Sequence, residues 1–473
     1  LIDTAELERL QAAARPLEPD ASERQALMAA VQAHAERYLE ELADGRTYHE
    51  AGGSHDPSFP EQPGTVEAAL RFVGERIERT GITTASGRFF GYIPGGGLFH
   101  AALGDFLADV SNKYAGFTPA APGAVQLENA CVRWLADIIG FPSGAAGTLT
   151  SGGSIANLAA IVAAREARDA EGGGAVYHAP TVHHCIDKAL KIAGRAGAPR
   201  RLLDLDEHYR ISAESLQAAF EQDRREGVRP WLVVASAGTV DTGSVDPLDE
   251  IAALCTRYGA WLHVDGAYGG LFMMCPEGRA VLRGIEQADT LAVDPHKTLF
   301  LPYGTGAVLA KDGRSLRGAF SASADYITPF GDHDDVSPAD LSPELTRHFR
   351  AMRLWLSVQL AGAAAFRAAQ SEKILLARHV HARLSDMRSW EVGPPPDLSV
   401  VAFRFRPRQG HIDRFNERLT RRLQEDGRVF FSSTRIAGAT YLRAAILSFR
   451  THLEHVEEAL AVLDSTARML EAE

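Results

Sequence analysis

The sequence predicts an α/β protein: a large domain on a mostly parallel sheet, a helical segment before it and a small α+β domain after it. Three observations carry the prediction. Residues 230–238 (PWLVVASAG) are apolar on both faces, as a strand inside a parallel sheet is. The apolar runs 261–264 and 291–293 each stop abruptly at polar residues, Asp265 in one case and Asp294-Pro295-His296-Lys297 in the other. Open α/β sheets build their sites at such strand ends. Strand-like runs at 399–405, 428–433 and 441–447 alternate with helical patterns at 412–426 and 453–470, the mark of a small α+β unit. The expected divisions are 1–85, 86–365 and 366–473.

In chain order, Leu7, Leu10, Leu27, Val31, Tyr38 and Leu42 recur at helical spacing, with breaks at Arg15-Pro16 and Pro19-Asp20. Such helices are too thin to bury their apolar faces alone. Residues 47–64 are polar and rich in Gly and Pro, a loop. The aromatics Phe89, Phe90 and Tyr92 precede a glycine run. A helix over 126–140 leads to Thr150-Ser151-Gly152-Gly153-Ser154, which opens an alanine-rich helix through Arg165. A Gly/Ser turn at a helix start offers unpaired N–H groups and the positive end of the macrodipole, a seat for phosphate. A strand at 175–177 is followed by His183 and His184 at the next helix start, and a long helix over 362–384 links to the last unit.

Composition narrows the function classes. The chain has 473 residues, 45% of them hydrophobic, enough for a large core. A net charge of −12 argues against nucleic-acid or anionic-membrane partners, which want a basic face. Cys131, Cys185, Cys255 and Cys275 have neither disulfide-framework nor zinc-ligand spacing and read as buried thiols of a reducing cytoplasm. No apolar run reaches the roughly 18–20 residues of a membrane span, and no basic-then-apolar leader pattern opens the sequence. The expectation is a cytoplasmic enzyme with no metal.

A strand-end lysine, a strand-end carboxylate and a phosphate seat together point to pyridoxal 5′-phosphate (PLP). A lysine holds its aldehyde as a Schiff base, and a carboxylate keeps the pyridine nitrogen protonated so that the ring accepts electrons. The stretch HVDGAYGG, with DPHK after it, resembles the group II PLP-dependent amino-acid decarboxylases, the branch that holds aromatic-L-amino-acid, histidine and glutamate decarboxylases. The separation from Asp265 to Lys297 (297 − 265 = 32) resembles that of the aromatic-amino-acid members, and the likeness runs over roughly residues 70–470.

The resemblance implies the aspartate-aminotransferase-like architecture known as PLP fold type I, a homodimer with its site at the interface, and N-terminal helices that wrap the partner subunit. It assigns the cofactor to Lys297, Asp265, Ala267, His296, Thr239, Gly153 and Ser154, with Asn157 mapped less directly onto the phosphate motif. His183, or the adjacent His184, stacks on the ring, and Tyr326, 29 residues past Lys297 (326 − 297), supplies a catalytic tyrosine. Phe90, Tyr92 and Phe117 line the substrate cavity. Three departures stand out: Pro119 replaces a bulky aromatic, Val240 replaces a second threonine, and Asp294 replaces the commoner Asn. Asp246 reads first as structural, and Arg443 and Arg450 as structural ion pairs before substrate ligands. The implied reaction is α-decarboxylation of an L-amino acid, expected to be aromatic, to its amine and carbon dioxide. The alternatives are an aldehyde synthase, disfavoured by the presence of Tyr326 and His183, a decarboxylase of glutamate or aspartate, a lyase of the same fold type, and a non-enzymatic scaffold, disfavoured by the presence of Lys297 and Asp265.

Overall fold

The structure is a computed structural model that describes residues 4–50, 59–321 and 336–473. Its main sheet has seven strands: β1 (Ala146–Thr150), β2 (Ala175–His178), β3 (Arg200–Leu202), β4 (Pro230–Ser236), β5 (Trp261–Gly266), β6 (Thr290–Val293) and β7 (Gly306–Ala310). Their order across the sheet is β1-β7-β6-β5-β4-β2-β3. Pairings from β6 through β3 are parallel, and β7 runs antiparallel to both β6 and β1. The sheet is thus mostly parallel, and the lysine-bearing run does not reach it: Lys297 lies one residue before the end of a single helical turn, Pro295–Thr298, just past β6.

Alternation along each strand sends neighbours to opposite faces, and both faces are covered. Val233, Ala235, Leu262, Val264, Leu291 and Val293 enter the largest core. On the other face, Leu232, Val234 and Trp261 pack with Ile161 and Ala164, and Ala292 and Val308 pack with Ala156 and Ala160. The alanine-rich helix Gly153–Arg168 therefore lies directly on the sheet, since small side chains let its backbone come close.

A second sheet combines β8 (Trp390–Val392), β9 (Val400–Phe405), β10 (Phe430–Ile436) and β11 (Ala439–Ala445) in the order β8-β9-β11-β10, and Phe89–Phe90 adds a short parallel strand beside β10. The helices Ile412–Asp426 and Leu453–Ala472 pack against it over a separate core that contains Leu419, Leu423 and Leu463. The N-terminal helices Thr4–Ala14 and Ala21–Glu41 bury only His34, and Leu7, Leu10, Leu27 and Val31 stay exposed. Asp20 starts the second of them with a capping box to Glu23. Among the described residues, no helix is long and apolar enough to cross a membrane.

Candidate active site

The carboxyl ends of β4, β5 and β6, the end of β1 and the start of β7 meet at one edge of the main sheet. There they frame a cavity of about 290 Å³. Its lining includes Gly153, Ser154, His183, Thr239, Asp265, Ala267, His296 and Lys297, so the structure brings together eight of the residues singled out from the sequence. Tyr326 lies outside the described residues. Phe90, Tyr92 and Phe117 are not in this lining. Phe90 is 1% exposed and stacks on Phe431 at 5.3 Å in the core of the second sheet, because strand alternation turns it away from the cavity. Tyr92 is 57% exposed with φ of +49°, and Phe117 is half-buried elsewhere.

Lys297 Nζ lies 3.0 Å from Asp294 Oδ2. Burial pulls the Lys297 pKa down, but the charges of Asp294 and Asp265 outweigh it, and the net shift is upward. Asp294 is buried, and its Oδ1 has no hydrogen-bond partner among the described residues. His296 Nδ1 donates to the Thr305 carbonyl at 2.8 Å, which leaves Nε2 free of that bond. Burial lowers its pKa, partly offset by Asp294.

At the helix start, Ile155 and Ala156 donate to the Gly152 carbonyl, so the N–H groups of Gly153 and Ser154 lie ahead of the intrahelical ladder. A Cβ on Gly153 would lie 2.9 Å from both the Ala267 methyl and Asp294 Oδ2: the floor admits only glycine. His296 is close to the same turn, 3.5 Å from where a Gly152 Cβ would be. At the other end, Asp265 Oδ1 accepts from Ala267 N at 3.1 Å and Oδ2 accepts from Asn157 Nδ2 at 3.2 Å. His183 accepts at Nδ1 from Cys185 N (3.3 Å), and desolvation lowers its pKa against the pull of Asp265. His184 is exposed, its ring 4.2 Å from that of His183. Thr239 begins a row of hydroxyls through Thr242 and Ser244 to the His208 carbonyl.

Several residues sit differently from the sequence reading. Asn157 stands at Asp265, not at the phosphate turn. His263, 0% exposed, completes the same group; its place on the Asp265 face was readable from the two-residue alternation of Trp261, His263 and Asp265. Asp246 is structural, as expected: its carboxylate accepts from Ile211 N and Ser236 N, and burial pushes it up to about 6. Arg443 and Arg450 make no ion pair among the described residues. Arg443 donates to the Tyr92 carbonyl and Ser432 Oγ, and Arg450 to the carbonyls of Gly96 and Ala85. Both clamp backbone, and neither lines the cavity.

The donor set fits PLP: a free helix start for the phosphate, a glycine and alanine floor for a flat ring, a carboxylate at one end and a lysine between them. Fold and cavity together define a PLP enzyme of fold type I. The family model described as "Pyridoxal-dependent decarboxylase conserved domain" matches residues 51–406, and the chain belongs to that family. It is similar to the aromatic-L-amino-acid decarboxylase of Bacillus atrophaeus, with 34% identity over 87% of each chain. Similarity to tyrosine decarboxylase 2 of Arabidopsis thaliana is 31%, over 87% of this chain and 79% of the relative. A phenylacetaldehyde synthase of Arabidopsis thaliana is 29% identical over 87% and 88% of the two chains. The crystal structure of Oryza sativa TDC with PLP and tryptamine superposes with a TM-score of 0.90 at 24% identity, over 96% of this chain and 99% of that one.

Proposed function

We propose that the protein decarboxylates an aromatic L-amino acid to its amine and carbon dioxide. The observation that carries this is the single cavity edge on which Lys297, Asp265 and the Gly153–Ser154 helix start converge. The 34% relative, an aromatic-L-amino-acid decarboxylase, supports the substrate class.

PLP bound in this cavity supplies an electron sink for the pair left on Cα when carbon dioxide departs. Lys297 would hold the cofactor through its carbonyl carbon, and the Asp265 carboxylate would keep its pyridine nitrogen protonated. The first-turn N–H groups of Gly153 and Ser154, with His296 beside them, would hold the phosphate. Ala267 and His183 would flank the ring. We assign proton return at Cα to Tyr326, on its offset from Lys297.

We infer a homodimer as well. The helix Phe99–Ser111 buries Ala101, Gly104 and Ala108 against the helix Ala351–Ala361, yet leaves Phe99, Leu103, Phe106, Leu107 and Val110 exposed in one stripe. An apolar stripe of this kind suits a second copy of the chain. Four buried free cysteines support a reducing, cytoplasmic setting.

The test is incubation of the purified protein with each aromatic L-amino acid, following carbon dioxide, amine, aldehyde and peroxide. Amine equal to carbon dioxide supports the reading, whereas aldehyde with peroxide makes it an aldehyde synthase. Lys297→Ala should lose both turnover and the visible absorbance of bound cofactor; retention of both would overturn the assignment.

A further inference from the structure

Behind the carboxylate that faces the ring lies a buried chain of polar groups with no role in the reading above. Alternation along β5 sets Trp261, His263 and Asp265 in a row beneath the helix Gly153–Arg168, and Thr290 stands opposite His263 on β6. Asn157, from the second turn of that helix, reaches into the row. Exposure is 7% for Trp261, 0% for His263 and Thr290, 1% for Asn157 and 9% for Asp265. Trp261 Nε1 donates to Thr290 Oγ1 at 3.0 Å. His263 Nδ1 lies 3.1 Å from that hydroxyl, and His263 Nε2 lies 2.7 Å from Asn157 Oδ1. Asn157 Nδ2 lies 3.2 Å from Asp265 Oδ2 and 3.3 Å from Cys185 Sγ.

With a neutral His263 ring, donor and acceptor inventory orders the protons of this chain. A carboxylate only accepts, so Asn157 must turn its NH₂ toward Asp265. Its oxygen then faces His263, and a contact of 2.7 Å between two bare acceptors is untenable, so His263 carries hydrogen on Nε2. Nδ1 of the neutral ring is left as the acceptor, and the Thr290 hydroxyl at 3.1 Å donates to it; a ring with hydrogen on Nδ1 would instead donate to the Thr290 carbonyl at 3.2 Å. Burial drops the His263 pKa to about 4, so the ring carries one proton near neutral pH.

We propose that Trp261, Thr290, His263 and Asn157 form a one-directional hydrogen-bond relay that orients the Asp265 carboxylate toward the pyridine nitrogen, with the Nε2–H tautomer of His263 setting its direction. All four are positioning residues, since they act through Asp265; of the four, only Asn157 lines the cavity. Every donor points the same way, so the Asp265 oxygens are aimed before the cofactor arrives, and a neighbour cannot swing them by exchanging a proton. The inference rests on the placement of the cofactor ring against Asp265.

The first measurement needs no cofactor. Nitrogen-15 spectra of the cofactor-free full chain, with His263 assigned by comparison with His263→Gln, should show the Nε2–H tautomer at neutral pH. An Nδ1–H tautomer, or a doubly protonated ring, overturns the relay. The second measurement is cofactor affinity. Asn157→Leu keeps the size of the side chain and has nothing to donate to Asp265, and it should weaken binding by roughly tenfold or more. His263→Gln, which retains a donor toward Asn157, should stay within about threefold of wild type, whereas His263→Phe should fall with Asn157→Leu. Wild-type affinity in Asn157→Leu, or equal affinity in the two His263 variants, also overturns it. If a variant does not fold, the wild-type tautomer decides alone. A wild-type protein that binds no PLP at all would strike the functional reading instead.

Discussion

Asp294 stands three residues before Lys297, and its charge falls on the lysine. Only a neutral amine bonds to an aldehyde carbon, yet the 3.0 Å contact with Asp294 holds Lys297 as the ammonium, with its pKa raised above the usual lysine value. A raised lysine pKa means that the neutral fraction grows with pH throughout the range below it. Capture of PLP by the cofactor-free protein should therefore quicken steadily as pH rises through neutrality. Asp294→Asn removes the nearest partner, lowers the Lys297 pKa and takes a negative charge away from the phosphate turn. Stopped-flow absorbance should show faster capture at neutral pH and a shallower pH dependence; slower capture would mean that Asp294 acts instead as the lysine's proton acceptor. This role was not readable from the sequence. DPHK places the two side chains three residues apart, but only the single turn Pro295–Thr298 brings them face to face.

The strands deliver the site, and the turns after them aim it. Gly238, just past β4, has φ of +99°, and a Cβ there would lie 2.6 Å from the Tyr268 ring. Tyr268 in turn is held by Ser399 at 2.7 Å. Gly238→Ala should destabilise the fold by about 1–3 kcal/mol and displace Thr239 from the cavity wall. A lowered melting temperature together with weakened cofactor binding would report both effects, and unchanged binding would mean that the turn adjusts elsewhere. At this scale much was legible. Apolar runs that end in Asp265 and in Asp294 marked the strand ends, and the Gly/Ser turn marked the helix start, because each is a local pattern. Phe90 was not legible. Two consecutive aromatics on a strand must face opposite ways, and the face that is core here depends on pairing with Phe431, far along the chain.

Across the whole molecule, the exposed stripe on Phe99–Ser111 sits opposite a face so close-packed that a Cβ on Gly104 would lie 2.7 Å from the Arg353 Cα. The helix is thus fixed from beneath and free above. Leu107→Asp should change sedimentation from dimer to monomer, with little loss of secondary structure; a dimer that persists would place the interface elsewhere. The helical N-terminus, the mostly parallel sheet and the small α+β sheet followed from periodicity, but the antiparallel β7 between β6 and β1 did not, since no local signal states which strand a chain will join. That strand has a consequence for biogenesis. Gly306 pairs with Thr150, so the Gly/Ser turn after β1 meets its neighbour only after 156 further residues have been made (306 − 150). Such distant pairings form late. A nascent or truncated chain that lacks β7 should then leave the turn without its wall. PLP would bind only to finished molecules, and at a hundred times its dissociation constant it would hold them folded by about 2.7 kcal/mol more. Vitamin supply in the cell would thus set how much of this protein survives quality control as well as how fast it works.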